Sequence, residues 1–285
     1  MDEEFDDEKR NDPRLTADLI HLALTETDED AAWEPVTVLQ CRATHEVLDT
    51  AEQLCASSVA KEREVGANIL GQLGSPKRTF PDECFQVLSR MLLTEEDPGT
   101  LNAIAVAFGH LHDPRCIDLL IPLKTHPNED VRYGVVHGLG WHNHPATIEA
   151  MIELSRDVDD DVRDWATFYL GGLNDSGTPE ITFIDTPEIR EVLWARVSDS
   201  YVDARMEAFV GLAYRKDSRI VKPLLEELAA DNVDEMAIEA AGELGDSRLL
   251  PALLKLKDWW PGDSKWDAEL LDKAIASCRG NSEQH

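Results

Sequence analysis

Four histidines occupy corresponding turns in two neighbouring segments of the chain. They are His110, His112, His142 and His144. Imidazole is a common zinc ligand, but a zinc site needs three or four ligands that converge on the metal at about 2 Å. Neither a His-x-x-x-His pair on a helix nor a cysteine partner accompanies them. We therefore interpret the four as solvent-facing turn residues in an acidic protein, and keep a metal site as the weaker alternative.

Motifs for nucleophilic or phosphate chemistry are missing from the sequence. There is no Gly-x-Ser-x-Gly and no P-loop pattern. Acidic residues number 57 of 285, so a pair of carboxylates carries no information by itself. We predict no catalytic residue and no cofactor.

Tryptophans supply the aromatic surface that a ligand, a sugar or a flipped base could stack on. The four that fall in or before predicted helices are Trp33, Trp141, Trp165 and Trp194. Such side chains more often fill the core between helices. Trp194 is the best candidate for an exposed position, because Arg190 and Arg196 lie near it at helical spacing.

The balance of charge restricts the class of partner. The formal net charge is −30 and the pI is about 4.5. This opposes binding to nucleic-acid phosphates or anionic membranes and favours a partner with a basic surface. The five cysteines are far apart and form no Cys-x-x-Cys pair, which fits a reducing compartment. With no secretory signal and no apolar run of about 20 residues, we expect a cytoplasmic protein.

A repeated pattern organises the helices that carry these residues. Asp130-Val131-Arg132 precedes Gly140 as Asp161-Val162-Arg163 precedes Gly171, which gives a period of 31 residues. We call the position of Gly140 and Gly171 the anchor of the repeat. An apolar residue precedes the anchor in every copy. The anchors are Gln40, Gly71, Gly109, Gly140, Gly171, Gly211 and Gly242. A turn and a second amphipathic helix follow each glycine anchor, so one repeat is two helices.

The residues that recur between copies of the pattern have structural explanations. We expect the Asp to cap the first helix, the Val to enter the core, and the Arg to reach an acid of the neighbouring repeat. In other copies the Arg position is taken by Leu101, Asp203 and Asp234. These residues therefore predict stacking of repeats rather than a catalytic or ligand-binding site.

The boundaries follow from where the pattern begins and ends. We predict a disordered acidic arm at 1–14, a single solenoid at 15–278 and a tail at 279–285. The solenoid includes an insert at 177–186 between repeats. It ends in a C-terminal cap at 257–278 that contains Trp259, Trp260 and Trp266.

The Asp-Val-Arg…Leu-Gly pattern resembles HEAT-like repeats, in particular the short bacterial type named after phycobilisome lyase subunits. The resemblance covers about residues 31–256 and is sharpest at 129–173. It implies an all-α, right-handed α-α superhelix of about seven helix pairs. Members of this class serve as bilin lyases, as DNA-glycosylase scaffolds and most often as protein-binding surfaces.

We predict a non-catalytic scaffold or adaptor whose second helices line a concave face and bind a protein with a basic surface. The expected contact residues are Arg90, Glu149, Glu153, Glu188, Arg190, Trp194, Glu226 and Glu227, joined by Phe183 of the insert. Two alternatives remain open: a bilin-lyase-like enzyme subunit, and an acidic inhibitor that mimics nucleic acid at a nuclease or toxin. The net charge disfavours a glycosylase.

Overall fold

The computed structural model of the protein describes residues 8–172, 185–260 and 265–280. Every regular element in these ranges is helical, which confirms the all-α prediction. The helices form two compact units, Met1–His142 (unit 1) and Asn143–His285 (unit 2). Each unit is described separately.

Unit 1 begins with a short helix, α1 (Thr16–Thr25), followed by helix pairs. The first helices of its repeats are α2 (Glu29–Arg42), α4 (Ala60–Gly71), α6 (Pro98–Leu111) and α8 (Glu129–Leu139). The second helices are α3 (His45–Cys55), α5 (Pro81–Leu92) and a broken segment centred on α7 (Ile117–Leu120). Helix α3 is absent from the sequence-based prediction.

Unit 2 contains first helices that alternate with second helices in the same way. The first helices are α10 (Asp160–Gly171), α12 (Val202–Tyr214) and α14 (Glu235–Leu244). The second helices are α9 (Pro145–Leu154), α11 (Pro187–Arg196), α13 (Val221–Glu227) and α15 (Leu250–Leu256). The last helix, α16 (Lys265–Gly280), packs on α14 and so continues the row of first helices.

A proline explains one departure from the predicted helices. The second helix expected at 115–123 is instead a 3-10 turn, Pro114–Cys116, then α7, then a second 3-10 segment, Ile121–Thr125. Pro122 lacks the N–H that an α-helical hydrogen bond would need at that point. Pro35, in contrast, lies inside α2, which continues through it.

The helix caps lie two residues before the aspartates of the repeated pattern. The side chain of Asn128 accepts the Val131 N–H, and Asp159 accepts that of Val162. Asp130 and Asp161 occupy the first turn instead, where a negative charge faces the positive end of the helix dipole. The prediction that these two aspartates are caps is therefore wrong, whereas Val131 and Val162 are fully buried as predicted.

An arginine in the first turns of four first helices ties its own helix to the preceding loop. In each case the guanidinium donates to the carbonyl six residues earlier. The pairs are Arg63 with Ser57, Arg132 with His126, Arg163 with Asp157 and Arg205 with Asp199. Arg205 fills this role in α12, so it, and not Asp203, corresponds to the Arg of the pattern. The shift of two residues also leaves Val202 44% exposed while Ala204 is buried.

Two of these arginines also reach the next repeat, as predicted. Arg63 forms two hydrogen bonds of 2.7 Å with the carboxylate of Glu95. Arg163 holds the carboxylate of Asp199 in the same two-pronged way, at 2.8 and 2.9 Å. Such forked pairs fix the orientation of neighbouring repeats as well as their separation.

The anchor glycines lie where consecutive first helices touch. In unit 1, a Cβ on Gly109 would lie 2.5 Å from the carbonyl oxygen of His137 in α8. In unit 2, a Cβ on Gly211 would lie 2.8 Å from the Cα of Gly171 in α10. These distances are shorter than any normal carbon contact, so only glycine permits the approach.

A buried arginine completes the contact between α10 and α12. Arg215 donates to the carbonyls of Leu170, Gly171 and Gly211 at 2.7–2.8 Å. These carbonyls belong to the C-terminal turns of both helices, where the helix dipole is negative. The guanidinium therefore joins the two helix ends that the glycines bring together.

We expect Gly109→Ala to lower the free energy of unfolding by about 1–3 kcal/mol, because a helix backbone must shift to admit the methyl group. Urea denaturation measures this. Gly99→Ala is the matched control in the same helix, since its nearest side-chain atoms are 3.5 Å away. The control should be neutral or stabilising through helix propensity. Equal effects of the two substitutions would contradict the close-packing account.

Candidate functional site

The four turn histidines of the sequence analysis have four different surroundings. His142 is buried, with its Nε2 3.3 Å from the Sγ of Cys116. His112 ends α6 in a left-handed conformation and its ring contacts Trp141 edge-on. His144 caps α9 by accepting the Ala146 N–H. Among the described residues, no group of three or more His, Cys, Asp or Glu side chains is arranged to hold a metal ion.

His110 is also largely removed from solvent. Burial, followed by the nearby Arg78 charge, lowers the pKa of His110 to about 4. Burial likewise lowers the pKa of His137, on the neighbouring helix α8, to about 4. Both imidazoles are therefore neutral at pH 7. The interpretation as solvent-facing residues is wrong for His142, which is buried, whereas His110 is half-buried and His112 and His144 are exposed.

The predicted tryptophans differ in exposure. Trp33 is 45% exposed, and Trp165 is half-buried in contact with the ring of Phe168. Trp194 is half-buried, with the guanidinium carbon of Arg219 5.2 Å from its ring centre. Trp33 is therefore the more exposed of these rings, a difference that the sequence pattern does not reveal.

Several predicted contact residues of the second helices are engaged within the protein. Arg90 pairs with Glu52 at 2.8 Å, and Glu227 with Arg205 at 2.9 Å. Arg190 binds Asp185 and donates to the carbonyl of Arg215. The exposed members of the set are Arg90, Glu149, Glu153, Glu188 and Glu226. Phe183, and residues 177–184 of the predicted insert, lie outside the described residues.

Three carboxyl groups lie on consecutive first helices of unit 2. Asp164 on α10, Glu207 on α12 and Glu239 on α14 form this set, called the acidic row below. One oxygen each of Asp164 and Glu207 has under 1 Å² of exposed area and no hydrogen-bond partner among the described residues. An unpaired buried carboxylate oxygen is costly, so this feature needs an explanation.

Burial and mutual repulsion alter the protonation of the acidic row. Burial, followed by the charge of Asp203, raises the pKa of Asp164 to about 7. Burial, followed by the charges of Asp164 and Glu239, raises the pKa of Glu207 to about 8. The pKa of Glu239 is also raised, chiefly by burial. At neutral pH the row therefore holds protons that isolated carboxyl groups would lose.

Tyrosine hydroxyls border the acidic row and donate hydrogen bonds to carboxylates. Tyr214 donates to Glu239 at 2.8 Å, and Tyr201 donates to Asp161 at 3.1 Å. Burial and the adjacent carboxylates raise the pKa of both phenols above the usual range. The tyrosines thus remain protonated donors. Beyond Glu239, the same face opens into a cavity of about 260 Å³ between α14 and α16.

The sequence analysis missed the acidic row because acids are abundant throughout the chain. A signal exists in retrospect: Asp164 lies three residues from the buried Thr167, and Glu207 lies three residues from the buried Ala204 and Val210, so each acid shares a helix face with buried positions. An acid at such a position is covered only if the neighbouring helix comes close. The close contacts at the glycines, which bring the helices together, are visible in the structure but not in the sequence.

No helix in the described part of the chain is both long and apolar enough to cross a membrane.

The fold and these repeat contacts define a HEAT-repeat protein, and a family model described as HEAT repeats matches residues 85–171. The chain belongs to the same family as protein YibA of Escherichia coli K12, with 31% identity over 223 residues, 76% of each chain. The X-ray structure of E. coli YibA is similar over 98% of this chain and 97% of that one, with a TM-score of 0.73 and 26% identity.

More distant structures share the fold alone. An engineered protein matches 92% of this chain and 78% of its own length, at 17% identity and a TM-score of 0.51. A chain of an S. pombe condensin subcomplex matches 93% of this chain and 37% of its own length, at 17% identity and a TM-score of 0.56.

We expect the two units to respond to pH in opposite directions. In unit 2, Asp164 and Glu207 have raised folded pKa values, so their stabilisation is present at low pH and lost as pH rises through about 7–8. In unit 1, His110 and His137 have lowered folded pKa values, so stability is lost as pH falls from about 6.5 towards 4.

Hydrogen exchange resolved by peptide, and corrected for the intrinsic effect of pH, measures both trends. The variant Asp164→Asn/Glu207→Gln should reduce the dependence of unit 2 and leave that of unit 1 intact. Increasing protection of α10 and α12 between about pH 6 and pH 8 in the unsubstituted protein would contradict this assignment.

Proposed function

We propose that this chain is a non-catalytic protein-binding scaffold or adaptor that recognises a partner with a basic surface. The acidic row of unit 2 carries the proposal. One oxygen each of Asp164 and Glu207 is buried without a hydrogen-bond partner among the described residues. The three side chains as a whole are half-buried, so lysine or arginine side chains of a bound protein would approach the atoms that remain exposed.

The arrangement of the row suits a protein partner rather than a single small cation. Each carboxyl group comes from a different first helix, so the negative charge is spread along the row and does not converge on one point. A surface with several separated positive charges complements such a pattern. The formal net charge of −30 adds long-range attraction to any basic partner.

Proton linkage gives this surface a distinctive property. Because their pKa values are raised, Asp164 and Glu207 hold protons near neutral pH. An approaching cation lowers these pKa values, so the protons are released on binding. Binding therefore strengthens as pH rises through about 7–8 and weakens with added salt. An ordinary exposed acidic surface, whose carboxyl groups have already lost their protons, would show the salt dependence alone.

The exposed acids of the second helices remain the alternative binding face. Glu149, Glu153 and Glu226 are solvent-exposed, as a surface for a basic partner requires. They differ from the acidic row because they are exposed, whereas the three carboxyl groups of the row are half-buried. All five cysteines are buried and none of them is in a disulfide bond, which supports the cytoplasmic location that we also propose.

The test is capture of a partner from a lysate of the source cells at low salt, with two matched triple variants. Asp164→Asn/Glu207→Gln/Glu239→Gln removes the acidic row, and Glu149→Gln/Glu153→Gln/Glu226→Gln removes three acids of the second helices. We expect the first variant to weaken binding of the captured protein at least about tenfold, since close charge pairs contribute about 1.5 kcal/mol or more.

Calorimetry on the purified pair measures these affinities. The control variant should bind as the unsubstituted protein does. If the control variant loses affinity and the first does not, the second helices are the binding face. If neither variant loses affinity, recognition through acidic residues is wrong.

A further inference from the structure

A cavity of about 410 Å³ opens near the N-terminal end of unit 1, between α1, α2 and α4. Its walls include Trp33 and Val36 of α2, together with Glu64, Val65 and Asn68 of α4. The volume is in the range of about 300–1,000 Å³ that is typical of ligand sites. It is therefore large enough for a side chain and part of the peptide that carries it.

The helices α2 and α4 beside the cavity differ from the later pairs at the anchor position of the first repeat. Here Gln40 replaces the glycine of the later copies, and its buried side chain donates to the carbonyl of Asn68 at 2.8 Å. The next contact in the row is closer, because Gly71 lets α4 approach Ala107 of α6 to a distance that excludes a Cβ. A buried glutamine thus acts as a spacer between α2 and α4 where other repeats have none.

The lining combines apolar, aromatic and acidic groups. Ala23, Val36 and Val65 are buried and form an apolar floor. The indole of Trp33, 45% exposed, forms one wall. Glu26 and Glu64 contribute carboxylates, and Asn68 contributes a side-chain amide.

One basic side chain already lies at this cavity. Lys61 pairs with Glu64 at 3.1 Å but is 55% exposed, so its ammonium can move into water at little cost. The ion pair is therefore replaceable by an incoming cation. The carboxylate of Glu26 accepts the backbone N–H of Thr27 at 2.9 Å.

We propose that this cavity binds an arginine side chain of a partner protein, with the guanidinium on the face of Trp33 and the carboxylates of Glu26 and Glu64 as its acceptors. The apolar floor covers the aliphatic stem of the side chain. Arginine fits better than lysine because its flat guanidinium stacks on an indole and forks to a carboxylate. This inference rests on the proposed function, since it takes the partner to be a basic protein.

The probe is the peptide acetyl-Gly-Leu-Arg-Leu-Gly-amide, with the citrulline peptide as its neutral counterpart. Binding is followed by NMR through the indole N–H signal of Trp33, which is assigned from the Trp33→Phe variant. The arginine peptide should shift this signal, and the citrulline peptide should bind at least about fivefold more weakly, as expected for loss of about 1 kcal/mol.

Variants locate the interaction by their effect on peptide affinity. Trp33→Ala and Glu26→Gln should each lower the affinity by about threefold to fivefold, measured by calorimetry. Trp259→Ala is the matched control, because Trp259 is also 45% exposed but lies in unit 2. It should leave the affinity unchanged.

Three outcomes would overturn the inference. They are equal affinity for the arginine and citrulline peptides, unchanged affinity in Trp33→Ala, and a Trp33 signal that shifts with protein concentration alone, which would assign the cavity to a second copy of this chain. The variant without the acidic row should still bind the peptide. If the unsubstituted protein captures a partner but does not bind the peptide, only the cavity proposal is rejected. If it binds the peptide but captures no partner, only the proposed function is rejected.

Discussion

The structure depends on the contact between consecutive first helices within each unit. At Gly109 and Gly211 the backbones approach so closely that a single methyl group would collide with the neighbouring helix. Carbonyl groups exposed at these helix ends are satisfied in unit 2 by the buried guanidinium of Arg215. The contact therefore combines the smallest side chain with an arginine that binds several carbonyl groups. Second helices pack beside this row, against the first helices that flank them in sequence.

The spacing of the first helices determines the chemistry on their surface. Where the helices are close, as in unit 2, carboxyl groups of neighbouring helices lie near one another and lose contact with water. Their pKa values rise for that reason, and Glu207 experiences the charges of both flanking members of the acidic row. Between α2 and α4, a buried glutamine occupies the anchor position in place of glycine, and a cavity lies beside the same two helices. Both candidate binding features therefore lie where first helices of neighbouring repeats meet.

The sequence was sufficient to predict the repeat, the helical class and the placement of most helices to within a few residues, because hydrophobic spacing and turn residues are local signals. The remaining features depend on contacts between helices, which the sequence does not reveal. His142 is a turn residue by sequence, but it is buried against Cys116, 26 residues earlier. Asp164 is one acid among 57, and only the approach of α12 makes it unusual. Proline by itself does not locate an interruption, because the helix is broken at Pro122 but continues through Pro35.

The central claim is that the first-helix row of unit 2, and not the second helices, contacts the partner. Hydrogen exchange of the chain with and without its captured partner tests this most directly. The account predicts slower exchange in the complex for peptides from α10, α12 and α14, with peptides from α9 and α11 unchanged. Slower exchange confined to α9, α11 and α13 would contradict it.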